Sequence, residues 1–185
     1  MKTDLINVPT FLHEIHGRTQ TKSELLITYS VGVFTTILVI VFLEQGQFSL
    51  GKQILLIALT LDIASGVVAN CTQGTSDYYA ENSTRRWIFL ALHITQPLLL
   101  TWLFPEDIRS IALIAAFTLI FGSIVNILKG NRQQRGTAVS LLMVVFVCMT
   151  LVITFTNKIA FLLMLLYSTK IILAFAVRWN ERNLI

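Results

Sequence analysis

Residues 54–70 read ILLIALTLDIASGVVAN, an apolar run with one carboxylate, Asp62, near its centre. It meets the lower limit for crossing a hydrocarbon core, roughly 17–25 apolar residues. Yet Asp62, Ser65, Gly66 and Asn70 make it the most polar of the long apolar runs in the chain. Whether it spans decides the topology. Counted as a span, it is the second of six, and both ends of the chain fall on one side of the membrane.

The other five runs are residues 25–43, 87–104, 108–128, 138–155 and 159–177. The chain is 55% hydrophobic and 13% charged, with mean hydropathy +0.72. A soluble domain carries about 25% charged residues. The expected fold is therefore all-α: a polytopic six-transmembrane-helix bundle with short outer loops.

Charge sets the orientation. With six spans, the side holding both termini carries Lys2, Arg18, Lys22, Arg85, Arg86, Lys129, Arg132, Arg135, Arg178 and Arg182. The opposite side carries Lys52, Arg109 and Lys158, while Lys170 lies inside the last run. Lys and Arg accumulate in cytoplasmic loops, so both termini and the 71–86 and 129–137 connections are expected inside. Trp87 and Trp179 at inner ends and Trp102 at an outer end fit the aromatic belts of an interface. The net charge of +4 is thus an orientation signal, and nucleic acid is not an expected partner. The expected location is a bacterial cytoplasmic membrane, with membrane lipids as partners and a second copy of the chain as a further option.

Three regions follow: a cytoplasmic segment 1–24, a transmembrane domain 25–177 and a tail 178–185. The polar first residues do not read as a cleavable signal. Residues 9–16, opened by Pro9 and closed by Gly17, suit a short interfacial helix with Phe11, Leu12 and Ile15 as its apolar face. His13 and His16 are three apart, but no further ligand accompanies them, and neither metal nor other cofactor is expected. Cys71 and Cys148 belong at different depths and form no obvious bridge. Asn70-Cys-Thr and Asn82-Ser-Thr match glycosylation sequons in a connection expected on the wrong side for glycosylation. Outer connections at 44–53, 105–107 and 156–158 are short, so any chemistry must lie within the bundle or at its inner face. Gly32, Gly66 and Gly122 permit close helix approach. Three spans per half would allow an inverted repeat, but no motif matches between the halves.

The strongest functional lead is a set of ionisable residues inside the runs, because such groups are costly in a bilayer and tend to pair or line a path. Measured from Asn70, Trp87 and Val177, Asp62, His93 and Lys170 lie roughly 12, 9 and 10.5 Å deep at about 1.5 Å per residue. Three helices thus bring one ionisable group each to one layer. Asp62, Gly66 and Asn70 share a helical face, as do Arg86, His93 and Gln96, with Pro97 expected to kink the chain just past Gln96. Tyr167 stands one turn before Lys170, Arg178 lies two turns after it, and Asn126 and Lys129 share the inner end of the fourth run. These stripes describe a polar cleft open to the cytoplasm. Above it, residues 71–86 read CTQGTSDYYAENSTRR, a long connection that suits a lid or headgroup-binding loop through Asp77, Tyr78, Tyr79, Arg85 and Arg86. A solvated loop with interfacial tyrosines is the competing reading.

Asp62 and Lys170 could equally be a structural ion pair, and His93 a hydrogen-bonded interhelical residue. Beside Asp62, His93 gains a second use, since a carboxylate–imidazole pair passes protons near neutral pH. The first functional expectation is a small carrier that binds a polar or anionic molecule or a coupling ion in the cleft. The second is an intramembrane enzyme acting on a lipid or lipid-linked headgroup, with Asp62 and His93 as catalytic candidates, although no HxxxH, HExxH or GxSxG pattern supports it. The third is a non-catalytic assembly or immunity partner.

Overall fold

The computed structural model describes residues 5–44, 46–177 and 179. The chain is mostly helical (78%). Five helices are long and apolar enough to cross a membrane, the mark of an integral membrane protein. They are α2 (Lys22–Val41), α3 (Leu50–Cys71), α7 (Ile108–Ile127), α8 (Gln134–Leu151) and α9 (Lys158–Ser168), which runs on into a π-helical segment, Thr169–Phe175.

Helix α2 begins three residues before its apolar run because Thr21 and Glu24 form a reciprocal cap. The Thr21 hydroxyl accepts from the Glu24 amide at 3.1 Å, and Glu24 Oε2 accepts from the Thr21 amide at 2.8 Å. Its buried face is Thr28, Gly32, Thr36 and Val39, a mostly small stripe laid on α3. A Cβ on Gly32 would stand 3.0 Å from Leu61 Cδ1 and Ser65 Cβ, so the glycine lets the two helices approach closely. The large side chains on the rest of α2 point outward, as expected of a surface solvated by lipid.

The run at 87–104 is not one helix. It forms α5 (Ser83–Leu92) and α6 (Thr95–Leu103), separated by a turn at His93–Ile94. The break falls one turn before the expected kink. Pro97 has no N–H for the carbonyl four residues earlier, that of His93, and its ring crowds it. The His93 carbonyl instead accepts from the Gln96 amide and from Tyr167 Oη, both at 3.3 Å. The last helix also departs from regularity. In its π turn the Ala176 amide reaches the Ile171 carbonyl five residues back at 3.2 Å. Gly122 of α7 sits against this turn, where a Cβ would lie 2.8 Å from Ile171 Cγ2.

The fold is not purely α-helical. Strands β1 (Leu5–Asn7) and β2 (Thr19–Thr21) pair antiparallel, with Ile6 opposite Gln20. Between them lie a 3-10 turn, Thr10–Leu12, and α1 (His13–His16), the expected interfacial helix reduced to a single turn on each side of Leu12. Phe11 and Ile15 face outward, 81% and 48% exposed, as anchors to an interface would. Gly17 ends α1 with φ 70°.

The connection after α3 is not a loop either. It contains α4 (Gln73–Ala80), and Asn82 caps α5 by accepting from the Arg85 amide at 3.2 Å. Gly74, a poor helix former, stands where the backbones of two segments touch, and a Cβ there would lie 1.9 Å from the Thr19 carbonyl oxygen. Gln20 ties the same junction by donating to Thr72 Oγ1 and to the His16 carbonyl, each at 2.8 Å. The N-terminal segment is therefore docked onto α4. At the opposite end, buried Asp107 accepts from the amides of Thr156 (2.6 Å) and Asn157 (2.9 Å), stapling the 105–107 and 156–158 connections together.

Candidate functional site

A cleft of about 180 Å³ lies between α3, α5, the π segment and the N-terminal segment. Asp62, Asn70, Tyr79, His93 and Lys170 line it, together with Gly66, Phe89, Leu92 and two side chains not foreseen, Glu14 and Ile15. The ionisable layer inferred from helical depth is therefore one constellation in space.

Its floor is Lys170. The side chain is 3% exposed, and Nζ donates to Asp62 Oδ2 at 3.2 Å and to the Asp62 carbonyl at 3.4 Å. Gly66 makes this reach possible: a Cβ there would stand 2.4 Å from Lys170 Cε. Asp62 lies at the rim, its side chain 55% exposed, and the same carboxylate oxygen accepts from Gln96 Nε2. The charge pair is asymmetric: its ammonium is enclosed and its carboxylate is partly exposed.

His93 is held in one tautomer. Its Nδ1 lies 2.8 Å from the Phe89 carbonyl, which can only accept, so Nδ1 carries the proton. Nε2 then presents a lone pair and makes no hydrogen bond among the described residues. The ring stacks on Phe89 at 3.8 Å, and Phe89 on Phe175 at 3.7 Å, which fixes the imidazole plane. Asn70 Nδ2 is buried and without a partner among the described residues, as is Gln96 Oε1. The cleft thus holds an orphaned donor beside a free acceptor, an arrangement with hydrogen-bonding capacity left for a polar group or water.

Other expected members lie elsewhere. Arg86 does not reach the cleft. It is buried, with Nε donating to Asn126 Oδ1 and Nη2 to the Ala176 carbonyl at 2.8 Å. A guanidinium there supplies donors and positive charge to the C-terminal end of the last helix, where carbonyls lack helical partners. Gln134 Nε2 shares the task at 2.9 Å. Asn126 thus serves this junction and not the cleft. Tyr167 supports the broken helix through the His93 carbonyl without lining the cleft. Asp77 and Tyr78 face a second concavity, about 410 Å³, that also holds Arg18, Glu24 and Glu81. Arg178 and most of the 178–185 tail lie outside the described residues.

The mouth is closed by Glu14. Tyr78 Oη donates to Glu14 Oε1 at 2.6 Å, and Tyr79 Oη lies 2.7 Å from the Glu14 carbonyl and 3.0 Å from Oε2. The Glu14 hydrogen bond raises the Tyr78 hydroxyl above its ordinary pKa, and burial does the same for Tyr79, so both remain neutral donors. Glu14 is the lone acidic residue between positions 5 and 23, a signal the sequence did carry. His16, next to it, is pushed below its ordinary pKa by burial, and its Nε2 pairs with Tyr29 Oη at 2.6 Å.

No protein-family model, curated protein or solved structure matches this chain, so the site is read from its own geometry.

Proposed function

We propose that the chain is a small membrane carrier that binds a polar or anionic molecule, or a coupling ion, in the Asp62–His93–Lys170 cleft. The observation that carries this reading is the broken helix. The α5–α6 interruption falls at His93, in the layer of the buried ion pair. Discontinuous helices whose freed backbone groups meet near mid-membrane are the usual frame of carrier sites. The π segment around Lys170 is a second irregularity at the same place. Asp62 takes the coupling proton or cation, Lys170 passes from Asp62 to the anionic group of the solute, and His93 Nε2 relays the proton.

In this reading α5 and α6 together make a sixth crossing. Ser83 to Leu103 would reach at most about 31 Å at 1.5 Å per residue, against a core of about 30 Å. Both termini are then cytoplasmic, as the ten-to-three division of basic residues requires. In a background with Cys71 and Cys148 replaced, a cysteine at Thr84 should react only with reagents reaching the cytoplasm. A cysteine at Lys158 should react from outside. The reverse pattern would invert the cleft.

Proteoliposomes under an imposed pH gradient test the function, using a panel of labelled small carboxylates and phosphate esters. At least one solute should accumulate, and Asp62→Asn or His93→Gln should each cut uptake by about tenfold or more, the scale of 1.4 kcal/mol. No gradient-dependent uptake across the panel would reject the carrier. The fixed His93 tautomer favours a second reading, an intramembrane enzyme with Nε2 as general base on a lipid headgroup. That reading predicts His93-dependent turnover of a headgroup without any gradient.

A further inference from the structure

The Glu14 carboxylate sits where a free anion would sit. The Tyr78 hydroxyl donates to it at 2.6 Å, and the Tyr79 hydroxyl, which is closest to the Glu14 carbonyl at 2.7 Å, stands 3.0 Å from Oε2; both residues are nearly fully buried. Behind them, Arg85 lies 3.9 Å over the Tyr78 ring and its Nη1 donates to the Tyr78 carbonyl at 2.9 Å. Arg85 Nε stands 4.0 Å from Glu14 Oε1. The site therefore offers donors and positive charge, and what fills it comes from a different, separately tethered part of the chain. The Glu14 side chain is 62% exposed, so an incoming anion can reach it without the site being rebuilt. The N-terminal segment is also held by bonds that do not use Glu14, among them Gln20 to Thr72 at 2.8 Å, Thr75 Oγ1 to the Ile15 carbonyl at 3.3 Å and Arg18 to Glu81 at 2.9 Å. Glu14 can thus leave while its segment stays docked.

We infer that Tyr78, Tyr79 and Arg85 form an anion-binding site at the cleft mouth, built for a phosphate or carboxylate group and occupied at rest by Glu14 as a tethered competitor. The inference rests on the cleft being a ligand site, and it supplies the class of the ligand: a molecule with an anionic end at the mouth and a polar part reaching Asn70 and His93 below. Anion exchange at Glu14 is then the step that admits it. Two sources share this chemistry, a soluble phosphate ester and the phosphomonoester head of a lipid.

A tethered competitor acts at an effective concentration of around millimolar, so removing its charge should strengthen binding of an external anion by about tenfold. The full chain is placed in phosphatidylcholine nanodiscs, and inorganic phosphate is titrated by calorimetry. Glu14→Gln should bind phosphate about tenfold more tightly than the unaltered chain, and adding Tyr78→Phe and Tyr79→Phe should abolish the gain. Proton exchange of the Gln20 side-chain amide, which bonds Thr72 across the junction, confirms that the segment remains docked in each variant. A Glu14→Gln chain that binds neither inorganic phosphate nor phosphatidic acid more tightly overturns the proposal, and so does a gain that survives loss of both hydroxyls. In nanodiscs containing phosphatidic acid, a gain confined to the lipid assigns the source to a headgroup, and a gain with inorganic phosphate assigns it to a soluble ester. Phosphate reads the mouth alone. If its gain appears while uptake is absent, the carrier reading falls and the anion site stands; if uptake is intact and no gain appears, the anion site falls by itself.

Discussion

Asp62→Asn should lower the melting temperature in detergent by roughly 6–12 °C, and Lys170→Met by much less. Breaking a buried pair by removing one partner commonly costs about 3–5 kcal/mol, because a charge is left uncompensated. For a chain of this size about 1 kcal/mol moves the midpoint by roughly 2–4 °C. The two partners are not equivalent here. Lys170 is enclosed and Asp62 supplies both of its hydrogen-bond acceptors, one through the carboxylate and one through the backbone. Losing the carboxylate charge strands the ammonium, and the cost falls near the low end of the range, about 3 kcal/mol, because the carbonyl and the new amide still accept. Losing Lys170 leaves an accessible carboxylate that Gln96 still holds and that can take a proton, on the order of 1 kcal/mol. The double variant should therefore melt close to Lys170→Met alone. Midpoints read from tryptophan fluorescence decide it. Strictly additive losses would mean that the pair contributes nothing as a pair. If the pair is structural only, the double variant also keeps its uptake; if it carries protons or solute, stability returns and uptake does not.

Much of this was legible before any coordinates. Hydrophobic length located the long helices to within a few residues, since that signal needs no tertiary context. The shared depth of Asp62, His93 and Lys170 was legible because helical rise is constant and each of these three runs has one side chain that can carry charge near neutral pH. What the sequence hid were interactions between distant segments. Arg86 lies on the His93 stripe of α5, which is regular up to His93, but Asn126 and the Ala176 carbonyl, both distant in sequence, claim its guanidinium. The position of that break follows from the proline's missing bond partner, not from the proline itself. Residues 71–86 read as a loop because Gly74 and a run of polar residues disfavour a helix. Glycine is there for contact with Gly17 and Thr19, some sixty residues away. Strands of three residues with no alternation, Leu5–Asn7 and Thr19–Thr21, leave no periodic trace at all.

That last contact yields the other large effect. Gly17→Ala should release the N-terminal segment from α4 while the helical bundle stays folded. At Gly17 the backbone is left-handed, φ 70°, which alone costs a residue with a Cβ about 1–2 kcal/mol. The added Cβ would also lie 2.0 Å from the Gly74 carbonyl oxygen and 2.7 Å from the Thr75 amide nitrogen. Backbone atoms on a helix cannot step aside as a flexible side chain can, so undocking is the cheaper response. Proton exchange of the Gln20 side-chain amide, which bonds Thr72 across the junction, should accelerate by about a hundredfold or more, equivalent to some 2.7 kcal/mol. Amides of α7 should be unchanged. Gly136→Ala is the control, since a Cβ there meets nothing within 4 Å and alanine favours a helix. Exchange at Gln20 no faster than in the unaltered chain would show that the junction tolerates a side chain. Undocking also withdraws Glu14 from Tyr78 and Tyr79. Gly17→Ala and Glu14→Gln should therefore raise phosphate binding alike, one by moving the occupant and the other by removing its charge.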